Sequence, residues 1–270
     1  MNRSFLFYAL MFLIILSSCN SQGSKQVFYD NPNIIMSRGA IVRMDTTEKK
    51  VWLTFTAHEF ADGFDTVLNT LRHHRAKASF FLTGDFTRIK GYDKIIERLK
   101  TDGHYIGAHS DKHLLYCDWE KRDSLLVTKE EFMKDIEDNY KALEKFGITR
   151  EDAPVYLPPY EWYNDSISAW TSEAGFILVN ISSGTIVNQD WTVPDGKPYY
   201  SSDYLMRNFL EYEKEKGLNG YILLIHPATD PRRTDKFYHY LDSILTYLGK
   251  RNYSFHSFSE PDYNTKPFND

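Results

Sequence analysis

The chain has 270 residues, 42% of them hydrophobic, enough for one large domain with a well-buried core. Its 32 basic and 37 acidic residues leave a net charge of -5, with no basic stripe of the kind a phosphate backbone requires, so nucleic acid is not expected as a partner. The 19 Tyr, 18 Phe and 5 Trp supply rings that suit sugar stacking and core packing alike.

The chain opens with Arg3 and an unbroken apolar run of twelve residues, Phe5 to Leu16. That run is shorter than the ~20 residues needed to span a bilayer and reads as a secretory signal over residues 1–18. Leu16-Ser17-Ser18-Cys19 resembles a bacterial lipoprotein processing site, which implies a lipid on Cys19 and a membrane anchor at the cell envelope; the alternative is an ordinary signal peptide. Cys117 is then the one remaining cysteine, which excludes a disulfide framework. Residues 19–40 are polar and read as a tether, with the globular domain over residues 41–265.

Within that domain Val51–Thr56, Ala78–Leu82, His104–Ala108, Phe176–Val179 and Tyr221–Ile225 read as buried strands. Helical periods separate them: Val67, Leu68 and Leu71 form one apolar face, and Ile95, Ile96 and Leu99 another, closed by Gly103. Thr128 and Glu131 form a capping box ahead of Phe132, Ile136, Tyr140 and Leu143, a helix stopped at Gly147. This alternation predicts an α/β fold, a parallel sheet wrapped by helices, either open or a barrel, with functional groups at the C-terminal strand ends. The turn-rich segment 182–204 is expected to lie over the site.

His109-Ser-Asp-Lys-His113 spaces two imidazoles so that one helical turn would bring both to a divalent ion; on an exposed helix they would simply be solvated. The buried strand before them favours the metal. His226 ends the strand at 221–225, where it can protonate a leaving group or satisfy a carbonyl. Tyr156-Leu-Pro-Pro-Tyr160 is a rigid extended segment able to hold a backbone amide against an oxyanion, or a structural turn.

Taken in order, these pieces resemble the polysaccharide deacetylases of carbohydrate esterase family 4. The Thr-Phe-Asp-Asp-Gly strand end of that family is met by Thr54-Phe55-Thr56-Ala57-His58-Glu59, and its Ala-Thr-Phe-Phe strand by Ala78-Ser-Phe-Phe81. Its histidine motif is met by His109-Ser110-Asp-Lys-His113 and its Arg-Pro-Pro-Tyr by Leu157-Pro158-Pro159-Tyr160. Asp190-Trp191 and Leu224-Ile-His226 stand for the last two motifs. The resemblance implies a distorted or incomplete (β/α) barrel with parallel strands, a divalent metal, often zinc, and removal of acetyl groups from an N-acetylated glycan. It makes His109 and His113 metal ligands, His226 the general acid, Tyr160 the oxyanion donor through its backbone amide, and Asp190 the partner of His226. Thr56 and Ala57 replace the two expected aspartates, and Leu157 replaces an arginine. One extra residue between Thr54 and Ala78 permits a small bulge, with His58 as third ligand and Glu59 as base. Asp111 is a further candidate for the metal's surroundings. The same substitutions motivate a rival reading, a fold that binds carbohydrate without catalysis. A metal phosphoesterase would want more carboxylates.

Overall fold

The run from Val51 to Ala57 is apolar without alternation, the mark of a strand covered on both faces, and it forms the central strand of the molecule, β3 (Lys50–Ala57). The structure is a computed structural model that describes residues 31–259; the expected signal peptide and Cys19 lie outside the described residues. A short hairpin, β1 (Ile35–Ser37) against β2 (Ala40–Arg43), precedes β3. The stretch expected as tether thus contains the first strand and ends on the buried Ala40.

Six further strands complete one parallel sheet of seven: β4 (Ser79–Leu82), β5 (Tyr105–Ala108), β6 (Val155–Tyr156), β7 (Ile177–Leu178), β8 (Tyr221–Ile225) and β9 (Ser254–His256). The order is β7-β6-β5-β4-β3-β8. β9 pairs with Lys50–Trp52, below the point where β4 joins β3 at Thr54. The ends of the row, β7 and β8, do not pair, and β2 fills the gap between them: Ile41 bridges Val179, while Ser182 donates its hydroxyl to the Val42 carbonyl and its amide to the Ile222 carbonyl. The sheet therefore curls without closing, a distorted, incomplete (β/α) barrel.

Helices α1 (Phe64–His73), α2 (Gly84–Arg88), α3 (Asp93–Thr101), α4 (Lys129–Glu144), α5 (Asp165–Glu173), α6 (Ser202–Lys216) and α7 (Leu241–Gly249) follow or join the strands. The capping box expected at Thr128 and Glu131 forms at the start of α4. Gly147 takes the left-handed φ of 73° that lets the chain turn away after it. Phe132, Ile136 and Leu143 bury the apolar face of α4, and Asp135 and Asn139 lie buried on that face with them. Asn139 accepts from the His109 amide at 2.9 Å and donates to the Leu82 carbonyl at 3.2 Å. Asp135 accepts from the Lys112 amide at 3.2 Å and from the Tyr116 hydroxyl at 2.7 Å. The helix is thereby bolted to the segment after β5. Asn139→Ala removes two buried hydrogen bonds and leaves the His109 amide and the Leu82 carbonyl with only each other, 3.2 Å apart, so it is expected to cost about 1–3 kcal/mol in urea unfolding; an unchanged midpoint would show that water replaces the amide.

Candidate active site

The strand ends deliver polar side chains to one rim, as parallel sheets of this kind do. His58 follows β3, His109 follows β5, Tyr160 follows β6 and His226 follows β8, and all four line a pocket of about 370 Å³ with His113, Glu161 and Trp191. The β3–β4 ladder runs in continuous register through Ala57 and Leu82, so the expected bulge does not interrupt the strand; His58 departs directly after it. Its Nδ1 lies 3.1 Å from the Thr83 hydroxyl. Thr56 and Ala57 also border the pocket and offer neither a base nor a carboxylate ligand.

His109 and His113 meet by a route other than the expected helical turn. The segment is irregular, and left-handed backbone at Ser110 (φ 72°) and His113 (φ 55°) swings the second ring back toward the first. Ring centres of His109 and His113 lie 5.1 Å apart, and His58 stacks on His113 at 4.9 Å and 13°. His113 thus stands ring to ring with both His58 and His109. The His109 Nδ1 donates to the Leu157 carbonyl at 2.8 Å, which leaves Nε2 with its lone pair free to bind a metal. Burial, with some repulsion from neighbouring imidazoles, lowers the pKa of His109 to about 3 and of His113 to about 2, so both rings are neutral, as ligands must be. The donor set fits a divalent ion of the zinc type. Its atoms are more widely spread than those of the compact group formed among the described residues by His73, His74 and Asp242, whose ligand atoms lie within 4.8 Å of one another away from the pocket lining.

Asp111 does not line the pocket with the histidines. It is buried against α2, where Arg88 and Lys112 neutralise it. The close approach requires Gly84, since a Cβ there would collide with the Asp111 carboxylate. The α2 start also binds the histidine segment through its backbone: the Gly84 and Asp85 amides donate to the Ser110 and Asp111 carbonyls at 3.2 and 3.0 Å.

Opposite the imidazole cluster, Asp190 accepts from the His226 backbone amide at 2.9 Å and from its Nδ1 at 2.6 Å. Nε2 is therefore the atom left for the pocket. Trp191 and Val193 form a wall beside it, as expected for the segment 182–204, and the fully buried Arg233 pins that wall by donating to the Thr192 carbonyl and the Ser202 hydroxyl at 2.6 and 3.1 Å. Aromatic rings continue along the rim: Trp119 stands 54% exposed, 5.5 Å from both Tyr160 and Trp162, and Trp191 is 52% exposed. Glu59 lies at the outer edge, 62% exposed, with a carboxylate oxygen 3.6 Å from His58 Nε2.

Glu161 was not among the residues expected from sequence. It lines the pocket beside Tyr160 and is half-buried. Burial, reinforced by the Asp190 charge and opposed by His226 and Asn188, pushes its pKa up to about 7. The available signal was an acidic residue directly after the rigid Pro-Pro-Tyr segment.

Burial alone would depress the pKa of His226, but the Asp190 charge and hydrogen bond outweigh it and raise the pKa above its usual 6.5. The folded chain thus holds the His226 proton more tightly than the unfolded chain does. The resulting stability is full below pH ~6.5 and fades as pH rises through the folded value. Asp190→Asn is expected to lower the melting temperature more at pH 6 than at pH 9; an equal loss at both would show that the charge pair contributes nothing.

The polysaccharide deacetylase family model matches residues 43–179. The peptidoglycan-N-acetylmuramic acid deacetylase PdaA of Bacillus subtilis is 26% identical over 219 residues, covering 80% of this chain and 72% of that protein. A peptidoglycan-N-acetylglucosamine deacetylase of Bacillus cereus is 25% identical over 213 residues, covering 79% and 88%. Among solved structures, Bacillus subtilis PdaA, described as a family 4 carbohydrate esterase, superposes with a TM-score of 0.63 at 24% identity, covering 83% of this chain and 85% of that one. BA3943 of Bacillus anthracis, described as a family 4 pseudoenzyme, gives 0.64 at 20% identity, covering 84% and 69%. Matched over half its length and folded as the motifs implied, the chain belongs to the polysaccharide deacetylase family.

Proposed function

We propose that the chain is a metal-dependent hydrolase that removes acetyl groups from an N-acetylated glycan at the bacterial cell envelope. The observation that carries this reading is the pairing of two unlike histidine groups in one pocket: three neighbouring imidazoles, of which His109 and His113 are kept neutral by burial, share it with a fourth, His226, held by a buried carboxylate. His58, His109 and His113 would hold the ion, zinc or a similar cation. When bound, it polarises the acetamido carbonyl and acidifies a water. His226 donates a proton from Nε2 to the departing nitrogen, its ring fixed by the Nδ1 bond to Asp190, which also accepts from the His226 backbone amide. The Tyr160 amide, in the tight turn after Pro158 and Pro159, stabilises the oxyanion. Exposed Trp119, Tyr160 and Trp191 supply the ring faces on which pyranoses stack. The similarity to peptidoglycan deacetylases makes peptidoglycan the first substrate to try. Location at the envelope, on a lipid anchor at Cys19, rests on the Phe5–Leu16 run and the residues before Cys19.

Purified protein is expected to carry about one divalent metal per chain and to release acetate from N-acetylated peptidoglycan fragments or chito-oligosaccharides. His109→Ala should lose the metal, whereas His226→Ala should keep it and release acetate roughly 10²–10⁴-fold more slowly. Absence of both metal and acetate would overturn the reading. It would favour instead a glycan-binding protein without catalysis, the alternative for which Thr56 and Ala57 at the strand end speak.

A further inference from the structure

Hydrolysis of an amide needs a group that takes a proton from the attacking water, and the β3 end, where Thr56 and Ala57 stand, provides none. Three carboxylates line the pocket: Glu59, Glu161 and Asp230. Asp230 is bound by the Arg232 guanidinium and backbone amide, which hold its pKa down at about 2, so it is a poor proton acceptor. Glu59 is the expected base but lies on the open rim, where water competes for it. Glu161 differs from both.

The backbone at Glu161 is built at a cost. Tyr160 and Glu161 are successive residues with φ of 59° and 53°, a conformation that non-glycine residues seldom adopt and that persists only where the surroundings impose it. The surroundings are on hand. The Glu161 amide donates to the Pro158 carbonyl at 3.2 Å, its carbonyl accepts from Asn180 Nδ2 at 2.8 Å, and Trp162 is anchored by its indole N–H to the Asp118 carbonyl at 3.1 Å. Strain imposed by this many contacts at one turn marks a side chain whose direction matters. That direction is into the pocket, within electrostatic range of His226 and Asp190.

We propose that Glu161 is the general base of this site, a role that rests on the hydrolase reading above. Its carboxylate accepts a proton from water as the water oxygen bonds to the acetamido carbon. The carbon–nitrogen bond then breaks, and the nitrogen leaves with a proton from His226. Acetate departs, and the proton on Glu161 passes to His226 or to solvent, restoring both groups. Because burial sets the Glu161 carboxyl near neutrality, it can both take and release a proton under ordinary conditions.

The test compares Glu161→Gln with Glu59→Gln in the full-length protein on N-acetylated chito-oligosaccharide. Glu161→Gln is expected to slow acetate release about 10²–10⁴-fold with bound metal and melting temperature kept, while Glu59→Gln changes it by less than about tenfold. Glu161→Ala should regain part of its activity in added formate, a small carboxylate that can occupy the gap. A Glu161→Gln variant as active as the parent overturns the proposal and leaves the hydrolase reading standing, as does loss confined to Glu59→Gln. Should Glu161→Gln unfold, formate rescue of Glu161→Ala decides, and failure of rescue counts against the base. A parent chain that releases no acetate defeats the underlying reading.

Discussion

Everything at the rim depends on a polar contact made in the middle of an apolar one. α4 packs against the sheet through Phe132, Ile136 and Leu143, yet Asp135 and Asn139 on the same face reach through to the backbone after β5. A buried carboxylate and amide are expensive unless every partner is in place, and here the partners are the amides of the segment carrying His109 and His113. The helix cannot shift without breaking those bonds. In turn, Ser110 and His113 can keep the left-handed backbone that brings the rings together. The core thus fixes a site whose own segment has no regular structure.

The pocket also sorts its ionisable groups by the company each keeps. His109 finds only a carbonyl and other imidazoles and stays neutral, whereas His226, part-buried, finds a carboxylate and holds its proton. His109, His113 and His226 thus acquire two chemistries from burial and from the neighbours each one meets.

Much of this was legible in the sequence. Long apolar runs announced β3 and β8, since strands covered on both faces cannot alternate. The capping box at Thr128 announced α4, and the motif order announced the family. The hairpin of β1 and β2 was hidden because three- and four-residue strands in a polar stretch leave no period to detect. Their role, filling the gap between β7 and β8, is a tertiary matter. The spacing of His109 and His113 announced their meeting but not the manner of it, because left-handed non-glycine residues carry no sequence signature. The same blindness hid Glu161, whose aim depends on two such residues in succession. Asp135 and Asn139 could have been found, as polar residues four apart on an apolar stripe.

The pair of hydrogen bonds between Asp190 and His226 bears on how such a site would decay over evolutionary time. A buried neutral imidazole can be exchanged for another uncharged side chain with little electrostatic consequence, so the proposed ligands His109 and His113 can be lost one at a time. Loss of His226 alone would instead leave the 1%-exposed Asp190 carboxylate without its counter-charge, a change of roughly 3–5 kcal/mol in buried ion pairs. A lineage drifting out of catalysis would therefore shed its ligands first and carry the acid and its carboxylate longest, as a fossil of the chemistry once done there.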